Sequence, residues 1–162
     1  MKEHDNYKLA DELYQLLKKN NMTVATAESC TGGMLGAALT SVPGMSGCYG
    51  YGVVTYANEA KKKMLGVRHE TLESYGAVSE QTACEMALGA VKLSGADIAV
   101  SVTGVAGPGG GTAEKPVGLV YIGIAKKSGE CAAYKNIFSG DRASVREQTV
   151  ITALKMLIEK FK

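Results

Sequence analysis

The sequence predicts an α/β protein: a three-layer α/β/α sandwich built on a mixed sheet. Three observations predict it. Short apolar runs alternate with helical-period segments over most of the 162 residues. The run Asp97 to Val102 is a buried-type strand with no polar face, as expected for a sheet covered on both sides. Near the carboxyl end, two strand-like runs are joined by a short turn, which adds antiparallel pairing to an otherwise alternating pattern. The chain is expected to form a single domain over 1–162. A formal net charge of +2 gives no general push toward nucleic acid or membrane. No apolar run reaches spanning length and the start lacks a signal-peptide pattern, so a soluble cytoplasmic protein is expected.

Leu9, Leu13, Leu16 and Leu17 recur at helical spacing, which makes residues 5 to 19 an amphipathic helix that Asn20-Asn21 breaks. The apolar run Met22 to Thr26 is the first strand, and Met34 to Leu39 a short helix of small residues. A turn-rich loop from Ser41 to Gly47 leads to a strand over Cys48 to Tyr56. Asn58 is expected to cap a helix over Glu59 to Leu65, closed by Gly66. His69 falls in a charged turn. Ser79 opens the next helix, with Ala83, Met86, Ala87, Ala90 and Val91 on its apolar face and Gly95 at its end. Val117 to Ala125 and Ala132 to Phe138 form the hairpin around Lys127-Ser128-Gly129. The last helix starts at about Asp141.

Between the first strand and the helix that follows lies Ala27-Glu28-Ser29-Cys30-Thr31-Gly32-Gly33. Helix-start N–H groups are unpaired and attract anions, so a hydroxyl or thiol there sits beside ready-made oxyanion donors. The competing reading makes Ser29 and Thr31 plain helix caps. Cys30 rivals Ser29 as nucleophile, although a packed thiol is the simpler assumption. The four cysteines are far apart and form no CxxC pair, so neither a zinc site nor a disulfide framework is expected. His4, in a ragged N-terminus, and His69 are poor partners for a catalytic triad. A serine nucleophile therefore needs another base.

Tyr56-Ala57-Asn58-Glu59-Ala60-Lys61-Lys62-Lys63 supplies one at a strand-to-helix junction. A lysine with its pKa lowered by burial can deprotonate serine. Lys61, one turn after Asn58, can point with it toward the mouth of the sheet, whereas Lys62 and Lys63 fall on other faces. The plainer reading is three solvated charges. Thr103-Gly104-Val105-Ala106-Gly107-Pro108-Gly109-Gly110-Gly111-Thr112 follows a strand and can form an anion-binding nest. It is neither a Walker A sequence nor a dinucleotide fingerprint, so a single phosphate or a developing oxyanion stays open as its ligand, and the plainer reading is a flexible connector. Arg142 and Arg146, four apart, share a helix face and suggest a common anionic partner or, more simply, a structural or interface role.

Four motifs in the same order resemble the CinA C-terminal domain family: Glu28-Ser29-Cys30-Thr31-Gly32-Gly33; Tyr56-x-Asn58-x-x-Lys61 with Leu65-Gly66-Val67; Thr103-Gly104-x-Ala106-Gly107-Pro108-Gly109-Gly110; and Gly140-Asp141-Arg142. Its enzymatic members are nicotinamide-nucleotide amidases of PncC type, and the resemblance runs from about Asp5 to the last helix. The chain begins with this domain, so the larger N-terminal domain of full-length CinA proteins is expected to be absent. The resemblance implies hydrolysis of nicotinamide mononucleotide to nicotinate mononucleotide and ammonia, with no metal or organic cofactor. It implies Ser29 as nucleophile, Lys61 as base and Tyr56 nearby to orient or share the proton. Cys30, Thr31, Gly32 and Gly33 would supply oxyanion donors. Asn58, Thr103, Gly104, Gly107, Gly109, Gly110 and Arg142 would line the substrate pocket. The resemblance also implies a homo-oligomer, a dimer being one form. A different class stays open: a nucleotide-binding regulatory module without turnover, linked to competence and DNA damage. An amidase for another amide is a third reading.

Overall fold

The computed structural model describes residues 2–162, with side chains from His4 onward. In chain order the elements are α1 (Lys2–Lys19), β1 (Val24–Glu28), α2 (Met34–Thr40), β2 (Tyr49–Val54), α3 (Asn58–Leu65), α4 (His69–Tyr75), α5 (Glu80–Ser94), β3 (Ile98–Gly104), β4 (Leu119–Lys126), β5 (Cys131–Ile137) and α6 (Arg142–Glu159), with a single 3-10 turn at Met45–Gly47. The sheet order is β2-β1-β3-β4-β5. The first three strands of that order are parallel, and β4 and β5 add antiparallel pairs. This is the mixed three-layer sandwich that the alternation predicts.

The two faces of the sheet are built from different residues. Toward α1, α2 and α6, β3 and β4 present Ile98, Val100, Val102, Val120, Ile122 and Ile124, all buried. Toward α5 the strands present Ala25, Ala27 and Ala99. A side chain at Gly123 would come within 2.5 Å of the Ala83 carbonyl oxygen, which already accepts a 2.5 Å hydrogen bond from Ser101 Oγ. Small residues thus let α5 lie close on the sheet. Gly89 of α5 in turn lets α3 close in, because a Cβ there would collide with the Leu65 carbonyl. That contact fixes the phase of α3, whose buried residues are Lys61 and Leu65, four apart on one face.

Local sequence explains most element ends. Ser79 accepts from the Thr82 N–H and Asp141 from the Ser144 N–H, while Gly66 and Gly95 adopt the left-handed conformation that closes α3 and α5.

The structure corrects several expectations. The first helix begins at Lys2 and includes His4, so that end is not ragged. Ala57, not Asn58, precedes α3, and Asn58 is its first helical residue with no capping role. His69 opens α4 and pairs with Glu73 one turn on at 3.6 Å, rather than lying in a turn. Cys84 and Cys131 form a disulfide, with their Cα atoms 6.0 Å apart across a sequence separation of 47. Sequence spacing conceals this pairing because α5 crosses the sheet to the start of β5.

Candidate active site

The carboxyl ends of β1, β2 and β3 converge at one point. In open α/β sheets the crevice outside those ends is where ligands bind. Ser29 directly follows β1, and its N–H donates to the Val102 carbonyl of β3 at 3.0 Å. Thr55 and Tyr56 follow β2, and the glycine-rich loop from Gly104 follows β3. Together with Lys61, Ala77, Val78 and Arg142 these segments enclose a cavity of about 310 Å³.

Lys61 is 1 % exposed, an unusual fate for its residue type. Its Nζ lies 3.0 Å from Ser29 Oγ, 2.7 Å from the Thr55 carbonyl oxygen and 3.3 Å from the Tyr56 carbonyl oxygen. Burial lowers its pKa below the ordinary 10.5. In the structure Nζ donates to all three, the two carbonyls and the Ser29 hydroxyl oxygen. On losing a proton the amine keeps two N–H groups for the carbonyls, which can only accept, and its lone pair can take the hydrogen of the Ser29 hydroxyl.

Cys30 is buried, and that burial raises its thiol pKa to about 11. It is a neutral thiol at physiological pH, which removes the main reason to prefer it as nucleophile.

The turn between Ser29 and α2 differs from its sequence reading. Neither Ser29 nor Thr31 caps the helix; Gly33 occupies the N-cap position, without a side-chain bond. The acceptor at this helix start is the protein's own Glu28, which is 2 % exposed. Its Oε1 accepts from Thr31 Oγ1 at 2.6 Å, Gly33 N at 3.2 Å and Leu35 N at 2.9 Å, and its Oε2 accepts from Gly36 N at 3.0 Å. The Gly32 N–H donates to the Ser29 carbonyl at 3.1 Å. The N–H groups of Gly32 and Gly33 are therefore engaged, and those of Cys30 and Thr31 have no partner in another of the described residues.

Tyr56 meets Lys61 through its carbonyl, not its phenol. The ring is 64 % exposed and its hydroxyl accepts from Arg142 Nη2 at 3.2 Å, while Arg142 Nη1 donates to the Gly107 carbonyl at 2.8 Å. Arg142 thus bridges the glycine loop and Tyr56 at the rim. Arg146 goes elsewhere, to the Cys30 and Thr31 carbonyls of the Ser29 turn, so the two arginines address different parts of the chain. The glycine loop is tied down at Val105 by bonds to Leu119 and Gly118. Gly107 has φ +86°, and a Cβ there would press on Val117.

Of the predicted residues, Ser29, Cys30, Tyr56, Lys61, Thr103, Gly104, Gly107, Gly109, Gly110 and Arg142 line the cavity. Thr31, Gly32 and Gly33 continue the turn beyond the lining residues, and Asn58 is exposed on α3. Ala77 and Val78 line it without having been predicted. Thr103 holds them in place, donating from Oγ1 to the Ala77 carbonyl at 2.8 Å. Only the adjacent Ser79 cap hinted that this stretch is anchored. The ionisable lining is Lys61, Arg142, Tyr56 and Cys30, with no carboxylate, which suits an anionic ligand. Among the described residues no cluster of His, Cys, Asp and Glu could hold a metal ion, and no helix is long and apolar enough to cross a membrane.

A doubly covered mixed sheet with a buried serine–lysine pair at the carboxyl ends of its parallel strands defines the class of protein. The CinA C-terminal domain model matches residues 6–161, and the chain belongs to that family. It is 48 % identical over 161 residues to the nicotinamide-nucleotide amidohydrolase PncC of Enterobacter agglomerans, covering 99 % of this chain and 98 % of that one. It is 54 % identical over 156 residues to a CinA-like protein of Endomicrobium trichonymphae, covering 96 % of this chain but 36 % of that longer protein. The crystal structure of the competence/damage inducible protein CihA from Agrobacterium tumefaciens superposes with a TM-score of 0.93 at 47 % identity, covering 96 % of this chain and 94 % of that one.

Proposed function

We propose that this protein hydrolyses the carboxamide of nicotinamide mononucleotide, giving nicotinate mononucleotide and ammonia, with Ser29 as nucleophile and Lys61 as base. The observation that carries the reading is the 3.0 Å contact between Ser29 Oγ and a buried Lys61 whose other partners are both carbonyls. The similarity to a nicotinamide-nucleotide amidohydrolase over nearly the full length of both chains supplies the substrate.

Neutral Lys61 takes the Ser29 proton as Oγ attacks the amide carbon, and the carbonyl becomes an oxyanion. The N–H groups of Cys30 and Thr31, which donate to no other described residue, stabilise it. Lys61 then passes the proton to the departing nitrogen, and ammonia leaves an acyl-enzyme on Ser29. Water, deprotonated by Lys61, attacks the ester; Ser29 regains its proton and the carboxylate product departs. The pyridinium withdraws electrons from the carboxamide and so activates it. Arg142 and the Gly107 to Gly110 stretch receive the substrate phosphate; Arg142 uses two N–H groups on Gly107 and Tyr56 and retains others. Tyr56 orients Arg142 instead of sharing the serine proton. A homo-oligomer in the cytoplasm belongs to the same proposal.

The test is ammonia release from nicotinamide mononucleotide by wild type, Ser29→Ala and Lys61→Ala, with nicotinamide riboside as a phosphate-free control. Release that both substitutions abolish, and that falls on the riboside, is the expected result. Release surviving Ser29→Ala moves the nucleophile elsewhere. Tight binding without release by the wild type supports a nucleotide-binding regulatory module instead.

A further inference from the structure

Arg146 of α6 takes no part in the scheme above, yet it grips the nucleophile turn. Its Nε donates to the Cys30 carbonyl at 3.0 Å and its Nη2 to the Thr31 carbonyl at 3.2 Å. A trans peptide is planar, with its N–H directed opposite to its C=O. The Cys30 carbonyl and the Thr31 N–H belong to the same peptide, so holding the first toward α6 aims the second away from it. Lys61 approaches Ser29 from α3, and α3 and α6 pack on opposite faces of the sheet. We infer that Arg146 is a positioning residue, which orients the peptide after the nucleophile so that the Thr31 N–H is presented to the developing oxyanion. This rests on the Ser29 reading proposed above.

Three further observations support it. The Ser29, Gly32 and Met34 amides donate to backbone carbonyls and the Gly33 amide to Glu28, so the turn has few donors left to aim. A Cβ at Gly32, where φ is +57°, would stand 3.3 Å from Arg146 Nη2, so glycine makes room for the guanidinium. Two adjacent carbonyls addressed by two nitrogens of one planar fork are a task for arginine, which lysine reproduces only in part with a single ammonium. Glu28 independently holds the far end of the same turn through Thr31 Oγ1 and three amides. Loss of Arg146 therefore loosens one peptide without removing the turn.

The test compares wild type with Arg146→Met and Arg146→Lys by steady-state ammonia release from nicotinamide mononucleotide, by melting temperature and by labelling of Ser29 with a fluorophosphonate. Removing one oxyanion donor costs about 100- to 1,000-fold in kcat. Disordering a donor that stays in place should cost less, about 10- to 100-fold. The expected result is that loss in kcat for Arg146→Met with KM within about threefold, a parallel slowing of Ser29 labelling, and partial recovery in Arg146→Lys or on adding guanidinium ion. Unchanged kcat and labelling overturn the assignment. So does a kcat loss matched by a rise in KM and a collapsed melting temperature in both variants. If Arg146→Met does not fold, Arg146→Lys carries the same comparison. A wild type that labels at Ser29 but releases no ammonia overturns the substrate reading alone, and labelling still decides the role of Arg146. A wild type that does neither overturns both.

Discussion

Lys61 and Lys62 are chain neighbours on one short helix, yet they are different chemical species in practice. Lys61 is buried against two carbonyls and the Ser29 hydroxyl, with its pKa pushed down by desolvation. Lys62 sits at the surface, paired with Glu59 at 2.5 Å. One step along a helix rotates a side chain by about 100°, so the phase of α3 decides which amine meets the serine. That phase is set by packing, Leu65 being buried four residues after Lys61 and held against Gly89 of α5. A reactive lysine here is a consequence of where a helix is clamped.

The widest separation between the two lysines should appear on removing each amine. Lys61→Met is expected to lower kcat/KM by about 1,000-fold or more, within the range for loss of a general base, whereas Lys62→Met should leave it within about twofold. Equal losses in steady-state ammonia release would erase the distinction. Next in size is the pH dependence. The rate should rise with pH as Lys61 loses its proton, with a midpoint below 10.5, and Lys62→Met should share that profile. Stability follows the same linkage. Between the lowered native value and 10.5 the unfolded chain holds more protons than the native one, so stability increases with pH across that window. Urea unfolding at two pH values inside it should show a larger gain for wild type than for Lys61→Met.

Moving the clamp rather than the amine sharpens the comparison further. Gly89→Val puts a side chain against the Leu65 carbonyl, which should cost about 1–3 kcal/mol by overpacking and displace Lys61 from Ser29. Loss of activity beyond the loss of folded protein, read at a temperature where the variant is native, is the expected outcome. The smallest effect belongs to the surface pair. Glu59→Ala removes the partner of Lys62 and should leave the midpoint of chemical denaturation unchanged, since an exposed pair contributes little.

Much of this was legible in the sequence because it is local. Alternation of strand and helix gave the layers, Ser79, Asp141, Gly66 and Gly95 marked element ends, and helical spacing separated Lys61 from Lys62 and Lys63. The same spacing misplaced Asn58, since burial on α3 follows Lys61 and Leu65 and leaves Asn58 exposed. What escaped depends on partners far along the chain. Arg146 reaches Cys30 across 116 positions, and Cys84 meets Cys131 across 47. Ala77 is positioned from Thr103, 26 residues away. Glu28 is near in sequence, but its role becomes visible only once the chain has turned back so that α2 points its first amides at it. No periodicity reports such contacts.

The most direct measurement is the titration of Lys61 itself, followed by carbon NMR on protein labelled at the lysine ε-carbons and assigned with Lys61→Arg. A midpoint below 10.5 that coincides with the rising limb of the rate profile is the predicted result. A midpoint at or above that value would show an ammonium facing Ser29 and would contradict its role as base.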